Sequence, residues 1–135
     1  MNLAKWHEAI LAKLDRYTGI DVGVGDAHIV VTCQNPESFD VSIHAQGEQF
    51  LVGFDGWHEH FDAKSDALNC FAFGLSQECR LKVVKRGKME CSWTVQAFKD
   101  DAWFDDTTTG LIFIPFWRTA QIEYRHNVII KKNDG

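Results

Sequence analysis

The chain of 135 residues contains only two prolines, and it has no segment rich in proline, glycine or serine that would serve as a linker. It also lacks internal repeats and any shift in composition that would mark a domain boundary. Its hydrophobic residues (45%) and charged residues (24%) are in ordinary globular proportions, which excludes a disordered or low-complexity protein. We therefore predict one domain that spans residues 1–135.

Long apolar runs are absent as well. The longest, Leu111–Trp117, is far shorter than the about 18 to 20 residues that cross a bilayer. The first 17 residues are interrupted by charges such as Lys5, Glu8 and Lys13, so they lack the apolar stretch of a secretory signal. We expect a cytoplasmic protein with no membrane partner.

Cysteine pairs of the CxxC type are missing. The four cysteines (Cys33, Cys70, Cys79 and Cys91) lie far apart in apolar segments, which favours reduced core thiols over a disulfide framework. The net charge of −5 comes with cations scattered along the sequence. That scatter lacks the electrostatic pattern of a general nucleic-acid binder, so we expect no nucleic-acid partner.

No complete catalytic or nucleotide-binding motif is present. The glycines between residues 19 and 25 lack both the third glycine of a dinucleotide fingerprint and the GK[ST] of a P-loop. Ser76 fails as a nucleophile elbow because Glu78 stands where a glycine is required. The sequence therefore predicts no organic cofactor and favours a protein that is not an enzyme.

Two histidines and two carboxylates crowd the stretch GWHEHFD, residues 56–62. If this stretch is extended, His58, His60 and Asp62 project to one side, where they could bind a divalent metal such as zinc. His44 or Asp55 from a neighbouring strand could supply a fourth ligand, and we choose His44 as the candidate. Glu59, the candidate general base of a metal-dependent enzyme, would point to the opposite side.

The alternative interpretation of this stretch is structural. Trp57 and Phe61 would anchor a strand-to-helix connection in the core, and Asp62 would cap the following helix. The histidines would then face water. Both interpretations remain open from the sequence.

Apolar spacing at steps of three and four predicts an amphipathic helix over residues 2–17 and a second helix over residues 62–77, capped by Asp62 or Ser65. We interpret residues 19–28 as turns. Strands are predicted at 27–33, 39–45, 49–54, 79–85, 89–98, 102–104, 111–116 and 120–130, with a polar turn at 105–110.

This element order predicts an α+β fold. We expect an N-terminal helix, an antiparallel and curved β-sheet of about 7–8 strands, and a second helix inserted mid-chain, with both helices packed on one face of the sheet.

The strand predicted at 111–116 is interrupted by Pro115, which cannot donate to a ladder, so the strand should lie at an edge or contain a bulge there. Both of its faces are apolar, so either both are covered, which we favour because large exposed apolar patches are uncommon on monomers, or one is an association surface. In the second case Phe113, Pro115 and Trp117, which share one face, form our candidate interaction surface with Arg118.

These observations favour a small non-catalytic binding or interaction protein that uses aromatic surface to contact a protein partner or a second copy of itself. A metal-binding protein or metal-dependent enzyme centred on His58 and His60 is one alternative. A small apolar ligand held in a pocket between sheet and helices, walled by Phe and Trp, is another.

Overall fold

The computed structural model describes residues 5–111 and 115–127. It confirms an α+β protein with two helices, but its nine strands form two antiparallel sheets rather than one sheet of seven or eight strands. In chain order the elements are α1 (Lys5–Leu14), β1 (Ile20–Val24), β2 (His28–Cys33), β3 (Val41–Gln46), β4 (Gln49–Phe54), β5 (Trp57–Phe61), α2 (Lys64–Gly74), β6 (Cys79–Arg86), β7 (Met89–Lys99), β8 (Ala102–Gly110) and β9 (Ala120–Arg125).

The first sheet is a meander in which each strand pairs with the next, in the order β1-β2-β3-β4-β5. Alternate residues of the central strands form its buried face, where Ile29, Ile43 and Val52 lie opposite one another and are fully buried. The strands predicted at 39–45 and 49–54 are joined by a tight turn at Gly47, with φ +64°. The prediction of turns over residues 19–28 missed β1, whose burial pattern shows no inward alternation.

The second sheet has the order β8-β7-β6-β9, so β6 pairs with β7 on one side and with β9 on the other. The prediction of a single sheet was wrong because strand count and partner choice depend on pairings distant in sequence, which local alternation does not encode. The two sheets meet where β5 lies beside β8. There Trp57 Nε1 donates to Thr107 Oγ1 at 3.0 Å, and the His58 amide donates to Thr109 Oγ1 at 3.3 Å.

The polar segment 105–110 forms most of β8, although we predicted a turn there. Its side chains explain the difference, because they hydrogen bond across to β7: the hydroxyls of Thr94 and Thr108 lie 2.7 Å apart. We predicted a strand at 111–116, but residue 111 and residues 115–119 are not in a strand. Residues 112–114 lie outside the described part.

Helix α2 packs against β3, β4 and β5 through buried Ala67 and Phe71. At its end, a Cβ on Gly74 would lie 2.3 Å from the fully buried Phe54 ring, so the close approach requires glycine. The predicted cap was wrong: the N-cap residue is Ala63, with no side-chain hydrogen bond. Asp62 instead accepts a hydrogen bond from Gln49 Nε2 at 2.8 Å.

Helix α1 contributes buried Ile10 and Leu14 to the same hydrophobic core that both sheets share. It is shorter at its C-terminal end than predicted. In the described part of the chain, neither helix has the length and apolarity that a membrane span requires.

Candidate interaction surface

The second sheet has one buried face and one face directed away from the core. Cys79, Leu81, Val83 and Val95 point into the core and are almost fully buried. Their neighbours along each strand point the other way, and the registers between strands place them on a common surface that we call the outer face. The outer face comprises Arg80, Lys82, Val84 and Arg86 of β6, Ser92, Thr94, Gln96 and Phe98 of β7, Trp103, Asp105 and Thr108 of β8, and Ala120, Ile122 and Tyr124 of β9.

Arg80 lies between two aromatic rings at one end of the outer face. Its Cζ atom is 4.4 Å from the centroid of the Trp103 ring and 4.0 Å from the centroid of the Tyr124 ring. Both distances are well within the about 6 Å limit of a cation–π interaction. The guanidinium therefore links β8 to β9 across the two strands that separate them.

A chain of hydrogen bonds holds the same arginine in place. Arg80 Nε donates to Gln96 Oε1 at 2.6 Å, and Gln96 Nε2 donates to Asp105 Oδ1 at 2.6 Å. Gln96 is only 6% exposed, so its amide lies beneath the flanking side chains. Since both ends of this amide are bonded, the arginine is held in one orientation between the two rings.

Large apolar side chains on the outer face remain open to solvent. Phe98, Ile122 and Tyr124 are 41%, 55% and 46% exposed. The Phe98 and Trp103 rings lie 5.2 Å apart, and His126 meets Trp103 edge to face at 5.5 Å. An exposed cluster of this kind marks an interaction site more often than a packing defect.

The segment around Pro115 is a tight turn at the opposite end of the outer face. The Arg118 amide donates to the Pro115 carbonyl at 3.0 Å, which closes the turn. Arg86 Nη1 donates to the carbonyls of Phe116 and Arg118 at 3.3 and 2.9 Å, which ties the turn to β6. Phe116 and Trp117 consequently project outward, 75% and 73% exposed.

Three of the four residues of the predicted interaction surface, Pro115, Trp117 and Arg118, lie in this turn or at its end. Phe113 lies outside the described residues. The surface itself stays a prediction. Arg80, Trp103 and Tyr124 were not among the predicted site residues, because strand alternation was their only signal in the sequence. The register that brings them together joins three different pairs of strands.

Cations collect on the outer face although the chain is acidic overall. Arg80, Lys82 and Arg86 follow one another along β6, and Asp105 is the one acidic residue among the described members of the face. Lys88 and Arg118 add positive charge beside the turn. The β7–β8 turn lies at the other end of the outer face, near Arg80, and carries Asp100 and Asp101, both with positive φ.

The candidate metal ligands lie on the first sheet, on the face away from the core. On neighbouring strands, His44 is opposite Leu51 and Leu51 is opposite His60. The backbones of His44 and His60 are therefore two strand spacings apart, about 9 to 10 Å, with Leu51 between them. His58 and His60 have ring centroids 6.4 Å apart. The described residues contain no group of three or more His, Cys, Asp or Glu side chains placed to hold a metal.

His44 instead pairs with His28, which sequence analysis did not consider; their ring centroids lie 4.6 Å apart. Burial, with a smaller contribution from the charge of His28, lowers the pKa of His44 below its usual value. Metal binding at His58, His60, Asp62 and His44 stays a prediction, and the geometry above supplies no third ligand for it.

A cavity of about 230 Å³ lies between α1 and α2. It differs from the predicted pocket between sheet and helices, since it lies between the two helices. Its volume falls below the about 300 to 1,000 Å³ of typical ligand pockets. Its lining consists of Ala9, Ile10, Lys13, Leu14, Arg16, Tyr17, Leu68, Phe71, Ala72 and Leu75.

No protein-family model, curated protein or solved structure matches this chain. The class that the fold defines is therefore α+β with two antiparallel sheets, and the assignment of function rests on the residues themselves.

Proposed function

We propose that this protein is a non-catalytic binding protein and that the outer face of its second sheet is the interaction surface. The observation that carries the proposal is the Arg80 guanidinium held between Trp103 and Tyr124. Arginine and aromatic residues dominate the binding energy of known interfaces. A side chain that is already fixed loses little entropy on binding.

The hydrophobic core does not account for this arrangement. The core face of β6 and β7 is sealed by fully buried aliphatic residues, whereas Phe98 and Tyr124 leave more than a third of their surface in water. Leaving such rings exposed contributes little to folding, because burial from water is what stabilises apolar groups. Binding supplies a reason for their placement.

A second copy of this chain is a less suitable ligand for the outer face than a molecule of opposite charge. A face-to-face pair would bring the cations of β6 in each copy towards those of the other, and like charges in contact cost free energy. The outer face is better matched to a ligand of opposite charge.

Hydroxyl-radical footprinting tests the proposed function without requiring that the ligand be identified first. Oxidation of Phe98, Tyr124 and Trp117 would be compared between the purified protein and the same protein in extract of cells that express it. We expect several-fold protection of these three residues in the extract. Phe104, which is 53% exposed on the opposite face of β8, serves as the matched control. Because an extract scavenges radicals, oxidation of the other three residues is expressed relative to that of Phe104 in each sample. The same relative oxidation in both samples would overturn the proposal.

A further inference from the structure

We infer that the ligand of the outer face is single-stranded nucleic acid. This inference rests on the proposed function and gives the chemical class of the ligand. The sequence argument against nucleic acid was that cations are scattered along the chain. Four of the cations, Arg80, Lys82, Arg86 and Lys88, are in fact close together in the sequence. Strand β6 places the first three in a row on one face, and folding brings Arg118 beside Arg86.

The outer face concentrates positive charge. Arg80, Lys82 and Arg86 are members of it, against one acidic member, Asp105, although the whole chain has 14 cations and 19 acidic residues. Successive outer-face positions along β6 are about 6.6 to 6.8 Å apart, and three of the four carry a cation. A row of regularly spaced cations on an otherwise acidic protein matches an extended polyanion.

Aromatic rings lie beside that row of cations. Phe98 and Tyr124 are half open to solvent, and the Arg80 guanidinium, which lies between Trp103 and Tyr124, holds the Tyr124 ring in place. Nucleic-acid bases stack on aromatic rings and on arginine planes, and this occurs only where the bases are unpaired and can be splayed out. An acidic peptide would satisfy the cations but would leave the rings without partners.

The polar groups of the outer face indicate how selective the site is. Thr94 is hydrogen bonded to Thr108, and both ends of the Gln96 amide are engaged, so these groups have little capacity left to read base edges. We therefore expect weak sequence preference and a short site of about four nucleotides, at the lower end of the range for small sheet modules.

Fluorescence anisotropy with a fluorescein-labelled oligothymidylate of about 12 nucleotides, long enough to cover such a site, tests the inference. We expect saturable binding that weakens as salt rises, with a logarithmic slope of about −2 for about three phosphate contacts. The double variant Phe98→Ser with Tyr124→Ser should weaken binding about tenfold or more, since it removes two stacking partners. Lys82→Ala should weaken binding several-fold and reduce the salt slope.

Matched controls separate these effects from misfolding. Phe104→Ser changes an exposed ring on the other face of β8, and Lys64→Ala changes an exposed cation on α2. Both should bind within about twofold of the parent chain, since neither touches the outer face. Circular dichroism and urea unfolding should show that every variant keeps the parent fold.

Several outcomes would overturn the inference. The first is that the protein does not bind the oligonucleotide at concentrations up to about 100 μM. The second is that the double variant binds it as tightly as the parent chain. The third is that the matching duplex binds more tightly than the single strand. Complete displacement of the oligonucleotide by an equal charge concentration of polyglutamate would assign the face to an acidic protein instead.

The footprinting experiment distinguishes this inference from the proposed function. If Phe98 and Tyr124 are protected in extract and nuclease treatment exposes them, both stand. If nuclease leaves the protection intact, the surface binds something other than nucleic acid, and only the inference fails.

Discussion

Arg125 Nη1 lies 2.6 Å from Asp55 Oδ2, which joins β9 of the second sheet to the turn between β4 and β5 of the first. The same guanidinium atom is 3.1 Å from Glu90 Oε1. Asp55 also accepts a hydrogen bond from the Asp40 amide at 2.9 Å, so the arginine organises carboxylates from both sheets. Burial raises the pKa of Asp55, and the hydrogen bonds from Asp40 and Arg125 oppose this rise.

Arg125→Met should destabilise the protein, because it leaves two partly buried carboxylates without their cation. The Arg125 side chain is 14% exposed and that of Asp55 22%, so this ion pair is intermediate between an exposed surface pair and a fully buried one. We expect a loss of about 1 to 3 kcal/mol in the free energy of unfolding, measured by urea denaturation at neutral pH. Lys64→Met, at an exposed site on α2, should change it by less than about 0.5 kcal/mol. Equal effects of the two changes would contradict the assigned role of Arg125.

Glu90→Gln tests the same cluster through pH. Burial alone would raise the pKa of Glu90, but hydrogen bonds from Arg125 and Trp93 outweigh it and lower the pKa below the ordinary value of 4.5. A lowered carboxyl pKa contributes stability that is present above the unfolded-state pKa and is lost as pH falls through the folded-state pKa. The parent chain should therefore be more stable than the variant at neutral pH, and the difference, measured by urea denaturation, should shrink below about pH 4.5. A difference that grows on acidification would contradict the prediction.

Asn127→Leu removes a buried link between three parts of the chain. Asn127 is 6% exposed, accepts from the Phe39 amide at 2.9 Å and donates to the Gly74 carbonyl at 3.0 Å. Leucine would leave both backbone groups buried without these partners, and we expect a loss of about 2 to 4 kcal/mol in the free energy of unfolding, measured by urea denaturation. Asn69→Leu, at an exposed position of α2, is the control and should have little effect. A similar stability of the two variants would argue against the bridging role.

Gly74→Ala should destabilise the protein although alanine favours helices. The added Cβ would lie 2.3 Å from the Phe54 ring, which is itself fully buried. We expect a loss of about 1 to 3 kcal/mol, measured by urea denaturation, as is usual for overpacked cores. Combining it with Phe54→Leu should cost less than the sum of the two single changes, since the smaller side chain makes room. Strict additivity would show that the contact is not the cause.

Cys33 and Cys70 should be poorly reactive in the folded protein. Burial, followed by the charge of Asp40, raises the pKa of Cys33 to about 11, and burial raises that of Cys70 to about 12. At about pH 8 the thiolate fraction of Cys33 is then about 100-fold below that of an ordinary thiol. Alkylation by iodoacetamide, followed by peptide mass spectrometry, should be slower by at least that factor in native protein than in urea. Comparable rates in the two states would contradict the withdrawal of these thiols from water.

Local pattern predicted the elements with strong periodicity. The strands predicted at 39–45 and 49–54, and those at 79–85 and 89–98, are separated by a few residues and form antiparallel pairs. Gly47 and Gly87 make the two connecting turns with positive φ, as short hairpin loops require. The predicted turn at 105–110 failed because β8 is stabilised by side-chain bonds such as Thr94 to Thr108, made with a strand already in place. Polar composition alone does not distinguish such a strand from a turn.

The candidate sites show the same division. Sequence alternation correctly placed His58 and His60 on one side of an extended segment, with Trp57 buried on the other. It could not show that Leu51 separates His44 from His60, since that depends on the register of β3, β4 and β5. Nor could it show that Arg80 lies between Trp103 and Tyr124.

The sequence by itself determined the α+β class, the two helices, most of the strands and the unpaired state of the four cysteines, because periodicity and hydrophobicity act over a few neighbouring residues. Tertiary structure decided the division into two sheets and the placement of Trp103 and Tyr124, from strands distant in the sequence, beside Arg80 on the outer face. The physical reason is that strand pairing joins residues far apart in the chain, and only the register of that pairing determines which side chains become neighbours.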